Sequence, residues 1–318
     1  MDFASWSTWQ RWRYALKPGS WPKLLVPCVL GQGLGVVVGS QVSWLGLALG
    51  VLFTLCDLAF IVFLNDWGDQ GVDRIKRDMF PHGCSPKTIP DGILGSRALL
   101  LAGLAAGALG MLCACAAEWL FARLGVPRPG ISWLALACLL VFVAYSLPPL
   151  RLNYRGGGEA LEMLGVGVAL PYFNFYLQSG RGWSPWLWPL VGFALLSLSS
   201  AVASGLSDEE SDRAGGKRTL ASVAGNVAAR RASEFLVVLG ALAWLCADGA
   251  FVGLWFVGAV GAVIAVGYWV PLRRTSAGAV TNAFKQQGLY KQLLHHAIWR
   301  GALGLTIAAL VWRYLGAH

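Results

Sequence analysis

Asn65-Asp66-Trp67-Gly68-Asp69-Gln70-Gly71-Val72-Asp73 follows directly on an apolar run from Trp44 to Leu64. The run is long enough to cross a bilayer as a helix, and carboxylates at membrane depth are costly and usually functional. If the helix continues through this stretch, Asp66, Asp69 and Asp73 fall at i, i+3 and i+7 on one face. Three carboxylates on one face repel one another, so the pattern calls for a positively charged partner.

Two interpretations of this stretch are open from its own residues. Mg²⁺ usually takes one or two carboxylates and keeps coordination sites for water and substrate phosphates, so the motif is typical of a magnesium–diphosphate site. The alternative is a solvated helix end that carries ordinary acids. These residues alone do not distinguish the two interpretations, so other parts of the sequence are needed.

The composition places the chain among polytopic membrane proteins. Of its 318 residues 56% are hydrophobic and only 13% are charged, and the mean hydropathy is +0.58. Such values are far more apolar than those of an average soluble domain. Windows of about 20 apolar residues predict about nine transmembrane helices, near 22–40, 44–64, 92–118, 131–149, 160–178, 186–206, 233–248, 250–270 and 297–315. We therefore predict one all-α membrane domain over residues 1–318, with its helices around a central cavity open to the cytoplasmic side.

The basic residues predict the orientation of these helices, because Lys and Arg collect in cytoplasmic loops. All but four of the 25 Lys and Arg residues fall on one predicted side, and the exceptions are Arg123, Arg128, Arg181 and Arg313. The amino terminus is then inside and the carboxyl terminus outside, in the cytoplasmic membrane if the source is a bacterium. Residues 1–21, rich in Trp and Arg, are expected to form an interfacial lead-in and not a cleavable signal peptide.

Other kinds of site find little support in the sequence. The net charge of +9 is mostly this topology bias, so nucleic-acid binding is not needed to explain it. Gly215-Gly216-Lys217-Arg218-Thr219 lacks the spacing of a P-loop. The seven cysteines contain no CxxC pair and are expected to be small buried hydrophobes.

A second acidic cluster follows the sixth predicted helix. Asp208 and Asp212 are one helical turn apart and can share a cation. They lie four helices after the first cluster on the same predicted side, which suggests an internal pseudo-repeat with both clusters facing one cavity. Together the clusters predict a diphosphate site holding two Mg²⁺ ions, with metal ligands Asp66, Asp69, Asp73, Asp208 and Asp212.

The loops beside these clusters supply cations. Residues 65–92 and 207–231 are predicted to be the cytoplasmic active-site loops, and the polar part from Arg74 to Gly92 is long enough to form a lid. Arg77 and Lys87 are its best candidates for diphosphate binding, although either would also serve as a topology marker. From its own stretch alone, Lys17 is better explained as an interfacial anchor than as a phosphate ligand.

One further acid lies within the second helix. Asp57 precedes Asp66 by nine residues, which is about half a turn out of phase on a continuous helix. We therefore expect Asp57 to face away from the acidic stripe, and either to hydrogen-bond to a neighbouring helix or to be protonated in place.

The two motifs together resemble those of the UbiA superfamily of intramembrane prenyltransferases. Asn65-Asp66-x-x-Asp69-x-x-x-Asp73 is similar to its first signature and Asp208-x-x-x-Asp212 to its second, and the resemblance runs from Lys17 to about Leu220. It implies a Mg²⁺-dependent enzyme that ionises a prenyl diphosphate within the lipid bilayer.

Several stretches resemble the menaquinone branch of that superfamily, whose members prenylate 1,4-dihydroxy-2-naphthoate. They are Lys17 to Pro22, Tyr145 to Glu159, Tyr176 to Gly180, and Asp208 to Ala221. The resemblance implies that Asn65, Lys17, Arg77, Lys87 and Lys217 contact the diphosphate, and that Tyr145 and Arg151 border the reacting carbon. Ahead of the second motif, however, Ser204-Gly205-Leu206-Ser207 replaces the Asn-Asn-x-Arg usual in that branch, which leaves the aromatic acceptor open.

The main hypothesis is therefore transfer of a prenyl group to an aromatic acceptor in quinone or related prenyl-lipid biosynthesis. A terpene cyclase of the same superfamily, which needs no external acceptor, is the alternative. An ion-coupled transporter is disfavoured, because it predicts charges near the bilayer midplane on broken helices, whereas these acids lie at predicted helix ends.

Overall fold

The computed structural model describes residues 3–39, 41–251 and 255–315, and within these ranges all regular structure is helical. The predicted all-α fold is confirmed. The α-helices are α1 (Thr8–Ala15), α2 (Pro22–Val38), α3 (Trp44–Gly68), α4 (Gln70–Met79), α5 (Ser96–Arg123), α6 (Ile131–Ser146), α7 (Gly158–Leu164), α8 (Leu170–Ser179), α9 (Pro189–Ser204), α10 (Glu209–Ala214), α11 (Leu220–Ala224), α12 (Asn226–Phe251), α13 (Trp255–Ser276) and α14 (Phe284–Leu315).

Six helical stretches of the described chain are long and apolar enough to cross a membrane, namely Trp44–Gly68, Ser96–Arg123, Gly158–Ser179, Pro185–Ser207, Trp255–Ser276 and Phe284–Leu315. Thr8–Ser20 and Pro22–Val38, which meet at a bend of 57°, would make a seventh if they form one span. The chain is thus a multi-pass integral membrane protein. The count of nine crossings stays a prediction, although a helix overlaps each of the nine predicted windows.

The amino-terminal helix is separate from the first long one. Ser7 and Gln10 form a reciprocal capping box that starts α1, which satisfies two backbone donors at once. The chain then turns through Lys17, whose φ is 48°, and Pro22 starts α2. The turn places the Lys17 side chain beside α3, where it pairs with Asp66.

Two hydrophobic clusters hold the long helices together. One joins α9, α12, α13 and α14 around buried side chains such as Trp244, and the other joins α3, α5 and α6 around Phe53. Helices α2 and α8 contribute to both clusters. Small residues allow the closest approaches: a Cβ added at Gly103 or Gly107 of α5 would lie 2.7 Å from the side chain of Leu64 or Phe60 on α3.

The helices break where the site begins. Asp69 lies between α3 and α4 without helical backbone angles, yet its N–H donates to Asn65 and its carbonyl accepts from Asp73. Gly205–Ser207 forms a 3₁₀ turn between α9 and α10. A π-helical segment, Gly165–Ala169, joins α7 to α8, and such segments are frequent at functional sites.

Candidate active site

Both acidic motifs border a single cavity of about 340 Å³. The first motif reaches it from the end of α3 and the start of α4, and the second reaches it from the turn after α9 and from α10. The motif residues that line it are Asn65, Asp66, Asp69, Asp73, Asp208 and Asp212. The structure therefore brings together all five acids that the sequence predicts as metal ligands.

Four of these five aspartates are paired with lysines. The lysines come from the turn before α2, from α4, from the lid loop and from the stretch after α10. Three of the four pairs join segments that are distant in sequence, and the fourth, Lys87 with Asp73, spans 14 residues. The pairs are Lys17 with Asp66, Lys217 with Asp69 (Nζ to Oδ2, 2.7 Å), Lys87 with Asp73 (Nζ to Oδ1, 2.6 Å) and Lys76 with Asp208. The eight side chains of these pairs thus form one cluster of opposite charges at the cavity, the charged ring.

Asp212 differs from the other four. Its side chain accepts a hydrogen bond from the Thr219 hydroxyl at 3.3 Å, and it is almost fully buried. Burial raises the pKa of Asp212 to about 7, although Lys217 acts in the opposite direction. Burial also acts to raise the pKa of Asp208, but Lys76 and Lys87 outweigh it and lower that pKa to about 2. The two acids of the second motif therefore hold their protons with different strength.

The donor set fits Mg²⁺ in its chemistry, because five carboxylates offer the hard oxygen ligands that this ion prefers. Within the ranges that the structure describes, no three acidic, His or Cys side chains are already gathered closely enough to hold a metal. The lysine pairs explain this arrangement, since each draws one carboxylate toward an ammonium group.

The predicted diphosphate ligands divide into two groups. Lys17, Lys87 and Lys217 line the cavity. Arg77 is not among the lining residues: its guanidinium makes two hydrogen bonds to Asp91 (2.8 and 2.7 Å) and others to the carbonyls of Pro81 and Ser85. Arg77, in the last turn of α4, therefore holds the following lid loop through Asp91 and does not face the cavity.

Two residues that the sequence analysis did not single out contact the acidic motifs. Lys76, only 5% exposed, binds Asp208 and donates to the Ser207 carbonyl at 2.7 Å. It lies seven residues after Asp69 and so continues the acidic stripe, which is the signal that would have found it. The Thr88 hydroxyl in the lid donates to Oδ2 of Asp66 at 2.6 Å, and no sequence pattern indicates this contact.

Tyr145 and Arg151 occupy different positions. Tyr145 lines the cavity and stacks on Phe142 with ring centroids 5.6 Å apart. Arg151 is not among the lining residues; it donates to the Gly68 carbonyl and lies over the Tyr154 ring. Arg151 therefore supports the backbone of the first motif from behind.

Asp57 is half a turn out of phase with Asp66, as expected, but this phase difference does not exclude it from the cavity. Asp57 lines the same cavity and is 3% exposed. The cavity borders residues of α3 at 57, 61, 62, 65 and 66, which at about 100° per residue cover half of the helix circumference. Asp57 and Asp66 lie at opposite edges of that wide face, so opposite phase does not separate them.

Comparison with known proteins identifies the family of this chain. The model of the UbiA prenyltransferase family matches residues 24–290, a range that includes both acidic motifs. The chain belongs to the UbiA prenyltransferase family. This is the family that the resemblance of the two acidic motifs implies.

Curated UbiA relatives match at low identity. Chlorophyll synthase of Arabidopsis thaliana is 26% identical over 219 residues, which is 66% of this chain and 53% of the relative. The 1,4-dihydroxy-2-naphthoate octaprenyltransferase of Bacillus subtilis is 25% identical over 179 residues, or 56% and 49%. The chain spans about half the length of the curated relatives it matches.

Solved UbiA structures share the fold. A UbiA homolog from Archaeoglobus fulgidus bound to DMAPP and Mg²⁺ superposes with a TM-score of 0.67 at 17% identity, over 92% of this chain and 99% of that one. The same homolog bound to GPP and Mg²⁺ also gives a TM-score of 0.67, at 16% identity, over 95% and 99%. At these identities the likeness shows the arrangement of helices alone.

Proposed function

We propose that this UbiA enzyme ionises an allylic prenyl diphosphate in the presence of Mg²⁺ and transfers the prenyl group to an aromatic acceptor of the dihydroxynaphthoate kind. The ring of aspartate–lysine pairs at one cavity carries the proposal. Support also comes from the solved homolog bound to prenyl diphosphates and Mg²⁺ and from the naphthoate prenyltransferase relative.

The charges of the site suit this substrate. Five aspartates face four lysines, and buried charges are stable only when they are balanced. Two divalent cations and a diphosphate of about three negative charges would leave the whole site close to neutral. We therefore infer two Mg²⁺ ions, held by Asp66, Asp69 and Asp73 on one side and by Asp208 and Asp212 on the other.

In this mechanism the lysines change partners. Lys17, Lys87 and Lys217 turn from carboxylate to phosphate oxygens and hold the leaving group, which frees the aspartates to bind metal. Bound Mg²⁺ would neutralise the charge that grows on the diphosphate as the C–O bond breaks. Burial acts to lower the pKa of Lys217, but Asp69, Tyr145 and Asp212 together outweigh it and raise that pKa, so this lysine is charged beside Asp69.

Part of the cavity wall is apolar. Val141, Phe142, Val166 and Leu170 are among the residues that line it. They exclude water from the allylic cation, so that the acceptor ring and not water attacks C1 of the prenyl group.

The direct test is product analysis. The purified protein in detergent receives Mg²⁺, 1,4-dihydroxy-2-naphthoate and geranyl or geranylgeranyl diphosphate, and the products are identified by mass spectrometry. We expect a prenylated naphthalene that depends on all three components. A cyclic hydrocarbon formed equally well without the acceptor would contradict the transfer mechanism.

We also infer that the acidic motifs and their lysines face the cytoplasm, since most Lys and Arg residues lie in loops on that predicted side. Reporter fusions test this orientation. A fluorescent protein that folds only in the cytoplasm should be active after residue 82, and a periplasmic phosphatase should be active after residue 126. The reverse pattern would contradict the orientation.

A further inference from the structure

Asp57 is a buried acid that the proposed diphosphate chemistry does not use. It lies in the middle of α3, nine residues before Asp66, which is about 13.5 Å along the helix axis at 1.5 Å per residue. Its side chain borders the cavity, and its Oδ1 atom has no hydrogen-bond partner in the part of the chain that the structure describes. Buried polar atoms in native proteins are almost always paired, so this atom needs an explanation.

No neighbouring side chain supplies that partner. The lysines of the site are engaged in ion pairs with acids other than Asp57. The cavity wall between the charged ring and Asp57 includes Ile61 and Val62 on the same helix and Phe142 on α6. Asp57 is therefore separated from the predicted metal ligands by apolar side chains, and a role in holding Mg²⁺ does not fit.

The chemistry of the two substrates distinguishes what can occupy this depth. A prenyl tail offers only hydrocarbon, and hydrocarbon against an unpaired carboxyl oxygen leaves its desolvation cost unrelieved. An aromatic acceptor with ring hydroxyls offers hydrogen-bond donors. Its reacting carbon must meet the prenyl C1 next to the diphosphate. The ring that carries this carbon also carries the hydroxyls, so one hydroxyl can point away from the charged ring into the cavity, toward Asp57.

We propose that Asp57 closes the acceptor subsite by accepting a hydrogen bond from a hydroxyl group of the aromatic acceptor. The bond would fix the ring between the apolar wall and the diphosphate, with the nucleophilic carbon toward C1. Asp57 is then a specificity residue for hydroxylated aromatic rings. This inference rests on the proposed prenyl transfer, and it deepens that function by assigning the acceptor end of the cavity.

Two variants separate the charge from the shape of the side chain. Asp57→Leu removes both oxygens that can accept a hydrogen bond, and the nearly isosteric Asp57→Asn keeps one carbonyl oxygen. We expect Asp57→Leu to raise KM for 1,4-dihydroxy-2-naphthoate by about tenfold or more and Asp57→Asn to raise it less. In both variants, KM for geranylgeranyl diphosphate should stay within about twofold of the wild type.

A methylated probe tests the hydrogen bond itself. Equilibrium binding of 1,4-dihydroxynaphthalene and of its monomethyl and dimethyl ethers is measured without Mg²⁺ or prenyl diphosphate. Methylation should weaken binding to the wild type by about tenfold and have little effect on Asp57→Leu, because the bond is already lost. Asn65→Ala, at the other end of the cavity, is the control in which methylation should still weaken binding.

The outcomes keep this inference apart from the proposed function. If the wild type discriminates against the ethers and Asp57→Leu does not, but no prenylated product forms, the transfer mechanism fails and the hydrogen bond assigned to Asp57 holds. If product forms normally but Asp57→Leu and Asp57→Asn change neither acceptor KM nor probe binding, the assignment is wrong. A change confined to KM for the prenyl diphosphate, or no probe binding by the wild type, also overturns it.

Discussion

Lys217 donates a hydrogen bond to Asp69 at 2.7 Å across 148 residues of sequence. The lysine follows the second acidic motif and the aspartate belongs to the first, so this one contact joins the two halves of the site. Lys217 also lies near the Tyr154 ring, 5.7 Å from its centroid. In the proposed mechanism, the Lys217 ammonium group exchanges the Asp69 carboxylate for a phosphate oxygen of the substrate.

The Lys217 contact makes the first prediction. Lys217→Met leaves Asp69 buried without its cation and removes a ligand of the leaving group. We expect kcat/KM for the prenyl diphosphate to fall by about 100-fold, with Lys217→Arg intermediate. Arg218→Met at the exposed neighbouring position is the matched control and should change the rate by less than about twofold. Equal effects of the two Met variants would contradict the role given to Lys217.

Lys76 and Arg77 are adjacent in sequence but are expected to differ in effect. Lys76→Met unpairs Asp208 and the Ser207 carbonyl, so activity should fall by about tenfold or more. Arg77→Met releases Asp91 and loosens the lid loop, and it should cost about 1–3 kcal/mol of stability. Steady-state kinetics and thermal unfolding of both variants in detergent measure these effects. If Arg77→Met raises KM for the prenyl diphosphate more than Lys76→Met does, the assignment of Arg77 to the lid is wrong.

Thr88 gives a test of lid closure. Its hydroxyl donates to Asp66 from a position that is 2% exposed. Thr88→Val keeps the shape and removes the donor, so kcat/KM should fall about fivefold, while Thr88→Ser should retain most of the activity. A Val variant as active as the Ser variant would show that this hydrogen bond is dispensable.

Ligand binding in the absence of turnover offers a fourth prediction. Mg²⁺ and inorganic diphosphate added together should raise the unfolding temperature by more than the sum of their separate effects, because each neutralises the charge that the other brings. The synergy should be lost in Asp212→Asn and kept in Asp78→Asn, which alters an exposed acid on α4. Strictly additive shifts in the wild type would argue against a joint metal–diphosphate site.

Local patterns in the sequence predict the helices and the acidic motifs well. Hydropathy depends only on the composition of a window, and the spacing of Asp66, Asp69 and Asp73 depends only on helical periodicity. Even the break at Asp69 preserves the stripe, since the i to i+4 backbone bonds continue across it. The cavity that collects both motifs therefore agrees with expectations drawn from short segments.

Contacts between distant segments are what the sequence does not supply. The sequence makes Arg77 a candidate phosphate ligand, but it does not show that Arg77 pairs with Asp91, fourteen residues away. Thr88 reaches Asp66 only because the lid folds back over α3. Helical phase gives the direction of the Asp57 side chain but not the width of the cavity, so it does not show that Asp57 borders the site. Each of these depends on tertiary packing.

The central claim is that the two acidic motifs act together on a prenyl diphosphate. The most direct measurement is the rate of inorganic diphosphate release from geranylgeranyl diphosphate by the purified protein with Mg²⁺ and 1,4-dihydroxy-2-naphthoate. Asp69→Asn and Asp212→Asn, one from each motif, should each lower this rate by about 100-fold or more, whereas Asp78→Asn should not. Diphosphate release within about twofold of the wild type in either motif variant would contradict the account.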